Sequence, residues 1–563
     1  MTVETDVVTV RSPDAPRYDR RFWVRLTEGA KQRWRQILVV ALAAVPALHM
    51  VVVIRSGTHV QVTDYWVFLS ELIEPDGSVR WRALSEFQGQ HLLSVPFVIY
   101  LVNIWLFGGS NITLGLVVVA IVSVQLLVLW RWIRRMNLVP FVVRGALLVF
   151  GSALLYSPHG AWNFMRAMSG TAWLTANLLV ILAIHFASRE RTVPAVVLAV
   201  LATITYGTGV LVWPAVVLIV WLRSRPLVEK VAVSALAGLA VAAYVALRTE
   251  QVPTDTIRSI DVQELFLGTA RILGRLAGFH SNIVVVVGVG LLVAVAVLVP
   301  LAVLRCRDQA LPFAGLAVFG VLGAAQITYG RAGGLGGDGN LMASRYTSLG
   351  AVTWIAAAAL LISVLSTFEV GRWRRWVAIG VCVPLGLVAA SAPFRGHVEI
   401  DHSREQARRA LHLSDAQRLK VSRDRRWFLM IEQPDIDDRL ERLGHHPFDG
   451  RWDADCGWLG REFDRPFEDS DRAASRFVVT GLPDGVRVNA EVPFAHSALD
   501  CVLVLDDTGT VVGVGRVAFD SDEAGGTDLV AYAPRSSRLV TLVFQLPGED
   551  RWIGMDVLGD HSP

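Results

Sequence analysis

Charge is what this sequence has least of. Asp, Glu, Lys and Arg make up only 18% of its 563 residues, and the signs nearly cancel at a net +3. That leaves no broad basic field, so nucleic acid is not an expected partner. Cysteine is also scarce. There are four, with no CxxC pair and no Cys/His cluster, so no metal site is expected. No cofactor is expected either, and metal dependence is left open. The phosphate-loop spacing GxxxxGK[ST] is missing, and the glycine-rich run Gly333–Gly339 reads as a loop. The opening residues MTVETDVVTVRSPDAPRYDRRFW are polar and have no apolar centre, so they do not read as a cleavable signal. No internal repeat or low-complexity tract is visible.

What is present is apolar. Hydrophobic residues reach 53%, mean hydropathy is +0.46, and 47 glycines allow close helix packing. The composition is that of a polytopic membrane protein. Apolar runs cover 37–54, 91–107, 112–130, 142–157, 172–187, 193–207, 209–222, 228–247, 281–303, 311–328, 347–367 and 375–392. Most approach the roughly 20 residues that cross a bilayer.

Basic clusters orient the runs. They are Lys31/Arg33/Arg35, Arg131/Arg134/Arg135, Arg189/Arg191, Arg223/Arg225, Arg305/Arg307 and Arg372/Arg374/Arg375. If 91–107 spans, every cluster after the first falls outside. If it does not, all are cytoplasmic. The second reading makes 91–107 an interfacial or re-entrant helix in a large first external loop, 56–111. His91, Pro96 and Asn103 are tolerable there.

The expected fold is therefore an all-α polytopic membrane domain with about eleven spans. A cytoplasmic tail (1–36) precedes the membrane domain (37–392). An extracytoplasmic region (393–563) follows it, with a charged helical stretch near 400–445 and then alternating strands. Those strands, RFVVTGL through WIGMDVL, read as a small β-sandwich. The expected location is the plasma (inner) membrane, N-terminus in the cytoplasm and C-terminus outside. There Cys456 and Cys501 either pair or stay as buried thiols.

In this topology the unusual polar residues collect on the external face. Each has two readings. Asp64 is a catalytic base or a helix cap. His91 is a functional group or a helix-start residue at the headgroups. Trp162 is a site residue or an interfacial belt residue. Arg166 and Arg331 meet a substrate or lipid phosphate. Arg345, followed by Tyr346, holds a phosphate or snorkels to the interface. Glu86 and Asn163 lie in the same external segments.

The text GQHL, LFGGSN, AWNF, GTGVLVWP and ASRYTSLG resembles a poorly characterised bacterial branch of the GT-C superfamily of membrane glycosyltransferases. The resemblance covers roughly 37–392. Gln90 and Leu92 stand where that branch has Glu and Arg, and Asp64 is followed by Tyr rather than a second acid. The resemblance implies inverting transfer of a sugar from a polyprenyl-phosphate donor to an external glycan or lipid acceptor. It gives Asp64 and His91 catalytic roles and Arg345, Arg331 and Tyr346 the donor phosphate. Glu86, Trp162, Asn163 and Arg166 then contact substrate. A non-catalytic envelope-assembly scaffold and a lipid-linked glycan transporter are the alternatives.

Overall fold

A computed structural model describes residues 20–57, 59–61, 64–74, 76–89, 91–251, 261–278, 281–331, 341, 343–368, 397–401, 403–404, 442–445, 457–469, 476–482, 485–492, 501–517, 527–534, 539–545 and 551–556. The apolar run 375–392, the loop Gly333–Gly339, Gln90, Cys456 and most of the stretch 400–445 lie outside the described residues, as does most of the N-terminal tail.

The chain is mostly helical. In order come α1 (Arg20–Arg55), α2 (Asp64–Leu72), the short hairpin β1 (Phe87–Gln88) and β2 (His91–Leu92), α3 (Ser94–Phe107), α4 (Asn111–Ile133), α5 (Phe141–Leu155), α6 (Ala161–Met165) and α7 (Ala167–Ala187). Then follow α8 (Thr192–Thr203), α9 (Val212–Leu222), α10 (Leu227–Gln251), α11 (Val262–Gly274), α12 (Ser281–Arg331) and α13 (Thr347–Leu365). Among the described residues seven helical stretches are long and apolar enough to cross a membrane, and three shorter apolar helices accompany them.

Contacts fix two ends of the bundle. At one end Trp132 Nε1 donates to His185 Nδ1 at 2.9 Å. Arg223 reaches the Ser188 carbonyl, Glu190 and Asp308, and Arg225 pairs with Glu229 at 3.5 Å. The basic clusters of four separate loops therefore share one end. α12 visits both ends. Its 51 residues would run about 76 Å if straight, more than twice the hydrocarbon thickness. Cys306 has non-helical angles (φ −145°, ψ 46°), so two helices meet there. Asp308 lies with the basic end, while Gln326 Nε2 donates to the Gly207 carbonyl at 3.1 Å at the other.

α3 does not cross. Ser94 N donates to the Ile204 carbonyl at the α8–α9 break, 3.1 Å away. At its other terminus α3 stops at left-handed Gly108 (φ 60°), and Ser110 caps α4 by accepting from Thr113 N. Both ends of α3 thus lie with the end opposite the basic clusters. The text FGGSN is explained locally. Gly108 and Gly109 (φ 71°) take backbone angles that suit glycine. Asn111 Nδ2 donates to the Met165 carbonyl at 2.7 Å, and Asn111 Oδ1 accepts from Ala167 N at 3.1 Å. One asparagine side chain so holds the α6–α7 corner against the start of α4.

The C-terminal region is rich in strands. Its strands are β3 (Phe467–Asp469), β4 (Arg476–Leu482), β5 (Gly485–Val492), β6 (Val502–Asp506), β7 (Val511–Val517), β8 (Thr527–Pro534), β9 (Leu539–Gln545) and β10 (Trp552–Asp556). They pair into one continuous run of eight strands in the order β3-β10-β9-β6-β7-β8-β5-β4, and residues of β5 and β10, far apart in that order, share one core. The joint is β6, which pairs with both β7 and β9 and so closes the gap between the halves. Alternate residues of β6 enter different cores. Val502 and Val504 pack with β5, β8 and β9, while Leu503 and Leu505 pack with Phe463 and Trp552. Cys501 is disulfide-bonded, and Cys306 is free.

Short segments after the membrane helices dock back onto the bundle. Glu399 pairs with buried Arg275, and Arg404 reaches Ser56 Oγ at 3.0 Å. His445 is fully buried. It lies 3.0 Å from the Tyr65 hydroxyl and packs against the Tyr65 and Trp66 rings, with centroids 5.6 and 5.3 Å away.

Candidate functional site

A cavity of about 510 Å³ opens at the end opposite the basic clusters. Asp64, His91, Trp162, Arg166, Arg331, Arg345 and Tyr346 all line it. These residues come from five separated stretches of chain, so the fold brings together most of what the sequence singled out.

Local structure places each one. Asp64 is the first residue of α2, where a carboxylate is favoured by the unpaired backbone N–H groups and the positive helix end. His91 opens β2, across from Gln88 in the hairpin register. Gly89 (φ 59°) makes the turn that presents it. The His91 ring stacks on Tyr206 at 4.1 Å, and Tyr206 lies 4.4 Å from Trp173, which lies 5.4 Å from Tyr346. These rings form a continuous aromatic wall. Gly207 lets His91 sit close, because a Cβ there would lie 2.6 Å from His91 Nδ1.

The loop of Arg345 is locked to the loop of Arg166. Ser344 Oγ donates to the His159 carbonyl at 2.6 Å and accepts from Trp162 N at 3.3 Å. Asn163 Nδ2 donates to the Arg345 carbonyl at 3.1 Å. Asn163 is therefore buried beneath the site and is not among the residues lining it. Arg166 lies over the Trp162 ring at 3.8 Å, and Arg345 bonds the Tyr346 hydroxyl at 3.3 Å.

Glu86 does not reach the cavity. Its carboxylate is held by Arg80 at 2.7 Å and Arg82 at 3.0 Å, in a cluster that includes Glu71. The expected contact with substrate gives way to ion pairs that brace the first loop. The structure also adds residues that sequence reasoning did not assign. Arg248, Trp173, Tyr244 and Gln326 line the cavity. Each sits in or at the end of an apolar run, where it reads as a flank or a packing residue.

The electrostatics are one-sided. Arg166, Arg248, Arg331 and Arg345 face one carboxylate, Asp64, among the described lining residues. Burial pushes His91 down to about 3, and Arg331, Arg248 and Arg345 add to the effect, so the imidazole is neutral. Burial lowers Arg166 to about 10, with Arg345 adding and Asp64 and Glu399 opposing. Four lining residues, His91, Arg166, Thr208 and Gln326, bury a polar atom that has no partner among the described residues (Nδ1, Nε, Oγ1 and Oε1). Among the described residues no group of three His, Cys, Asp or Glu could hold a metal ion.

α8 has 12 residues and α9 has 11, and both begin or end at the basic clusters. Twelve helical residues rise about 18 Å, so Tyr206, Gly207 and Thr208, at their junction, lie about that far along the bundle from the basic end.

No protein-family model, curated protein or solved structure matches this chain.

Proposed function

We propose that this chain is an integral membrane glycosyltransferase of the GT-C type that moves a sugar from a polyprenyl-phosphate donor to an extracytoplasmic glycan or lipid acceptor. The observation that carries the reading is one cavity that joins a carboxylate (Asp64) to arginines fit for phosphate (Arg166, Arg331, Arg345) in a chain with long apolar helices. A lipid-linked substrate suits a polar site on such a bundle. With the basic end in the cytoplasm, the cavity faces outward. The finer topology of eleven spans goes with this reading, and it takes the two halves of α12 and the run 375–392 as spans. It puts the C-terminal region outside, where the disulfide at Cys501 is at home.

In the reaction the acceptor hydroxyl oxygen attacks the anomeric carbon. The bond from that carbon to the phosphate oxygen breaks, and its electron pair leaves on the phosphate. The hydroxyl proton passes to the Asp64 carboxylate. The arginines offset the growing negative charge on the leaving group, which then needs no proton. Neutral His91 and the aromatic wall position the sugar.

The test is transfer from short-chain polyprenyl-phosphate sugars by the purified chain. Asp64→Asn is expected to keep fold and expression but lose at least about 100-fold in rate. Asparagine caps helices about as well as aspartate, so full activity in this variant would reduce Asp64 to a cap.

A further inference from the structure

We propose that the turn at 109–111, Gly-Ser-Asn, is a positioning device for the reaction. It sets the spacing between the Asp64 carboxylate and the Arg166 guanidinium, with Gln61 and Asn111 as its two positioning residues. This rests on the glycosyltransferase reading above, which gives Asp64 the acceptor proton and Arg166 the donor phosphate.

The first argument is what fixes Arg166. Its Nε has no partner among the described residues, and its guanidinium lies over the Trp162 ring at 3.8 Å. Its place is therefore set by that ring and by its own backbone. The backbone breaks here, since Arg166 ends α6 and opens α7 at φ −104°, ψ 71°. A break between helices leaves carbonyl and N–H groups without helical partners. Asn111 serves one of each, because an amide carries a donor and an acceptor on one side chain. Its Nδ2 donates to the Met165 carbonyl at 2.7 Å and its Oδ1 accepts from Ala167 N at 3.1 Å, so it grips the chain on both sides of Arg166. One turn along α4, Gly115 keeps the contact close, because a Cβ there would lie 2.8 Å from the Phe164 carbonyl.

The second argument is that the same turn holds the chain ahead of Asp64. Asn111 N donates to the His59 carbonyl at 2.8 Å, and His59 Nδ1 lies 2.8 Å from Ser110 Oγ. Gln61 Nε2 donates to the Gly109 carbonyl at 2.9 Å. The Gln61 carbonyl in turn accepts from Trp66 Nε1 at 3.0 Å, which fastens the start of α2, where Asp64 is the first residue. Gln61 and Asn111 are only 1% and 4% exposed, so water does not compete for these bonds. Asp64 and Arg166 are far apart in sequence, yet one turn bonds the neighbours of both, and both line the cavity. The acceptor oxygen and the leaving phosphate flank the anomeric carbon in the reaction. The spacing of the groups that hold them then decides whether attack and departure are aligned.

The test is release of farnesyl phosphate from farnesyl phosphate-linked glucose, mannose, galactose or arabinose by the full chain in detergent, using whichever donor wild type accepts. Rates are taken per folded molecule, with the folded fraction read from thermal unfolding. Asn111→Ala should lower kcat roughly 10- to 100-fold, the scale of a misplacement of about 1 Å. KM should move less, because Arg331 and Arg345 still meet the donor. Gln61→Met keeps the side-chain volume and loses one hydrogen bond, and should lower kcat roughly 2- to 12-fold. Each loss should vanish when the group being positioned is already gone. Asn111→Ala should add less than about twofold in Arg166→Gln, and Gln61→Met less than about twofold in Asp64→Asn. A purely structural turn would lower the melting temperature and leave kcat per folded molecule unchanged, or give losses that multiply in the double variants. Either result would overturn the positioning role and leave the transferase reading standing. If Asn111→Ala does not fold, Gln61→Met decides between the same outcomes. No release from any of these donors by folded wild type would overturn both.

Discussion

His445 is a test of how the C-terminal region communicates with the cavity. Its imidazole is buried against Tyr65, Trp66 and Gly109, and Tyr65 directly follows Asp64. His445→Ala removes the 3.0 Å bond to the Tyr65 hydroxyl, which is itself only 1% exposed. Stripping a partner from a buried hydroxyl costs about 1–3 kcal/mol. Loss of the ring's packing adds about 1–2 kcal/mol, in line with the cavity left behind. A total of about 2–5 kcal/mol opens the docked state by a factor of roughly 30 or more. Hydrogen exchange in 64–72 should rise accordingly, and transfer should fall because the residue ahead of Tyr65 is no longer held. His445→Gln is the control, since its amide nitrogen takes the place of Nε2 and should restore much of the protection. Unchanged exchange in 64–72 for the alanine variant would refute the coupling. So would equal behaviour of the two variants.

Two further outcomes follow from orientation and charge. A reporter fused after Pro563 should be active only outside the cytoplasm, and a cytoplasmic signal would mean that the passes are miscounted. His91 is held at about 3 in the fold against an ordinary 6.5. The unfolded chain therefore takes up a proton that the folded one refuses as pH falls below 6.5. Its contribution is complete above that value and is lost toward pH 3, by at most about 1.4 kcal/mol per pH unit. Thermal unfolding of wild type between about pH 7.5 and 4.5 should fall more steeply than that of His91→Gln, and parallel curves would contradict it.

Much of the fold is readable from period and charge. The seven strand texts of the C-terminal region, from RFVVTGL to WIGMDVL, correspond to β4 through β10, because alternation and turn residues act locally. Their grouping was not readable. Whether strands fall into one sheet or two depends on the pairing of β6 with β9, whose intervening chain the alternation does not constrain. The interfacial reading of 91–107 rests on basic clusters as far away as Arg305, because its local text, SVPFVIYLVNIWLF, is as apolar as a span; only the folded chain shows a 14-residue helix whose first residue bonds the Ile204 carbonyl at the α8–α9 break.

The site was readable where polarity is out of place and unreadable where it is not. Asp64, His91, Arg166, Arg331 and Arg345 stand at the ends of apolar runs, and the fold brings all five to one cavity. Glu86 looked the same in sequence, yet Arg80 and Arg82 hold it elsewhere. A charge in a loop does not reveal whether its partner is a substrate or the next arginine. Arg248 was missed for the opposite reason. At the end of α10 it looks like any snorkelling flank, and only the folded chain, where Phe87 N bonds Gln251 three residues on, shows it lining the cavity. The same logic explains Asn163, which looked like a ligand group and instead supports the Arg345 carbonyl. In a buried polar site the side chains that hold the loops are chemically the same as those that hold the substrate. What separates the two is whether a protein group already satisfies them, and that is a property of the folded chain.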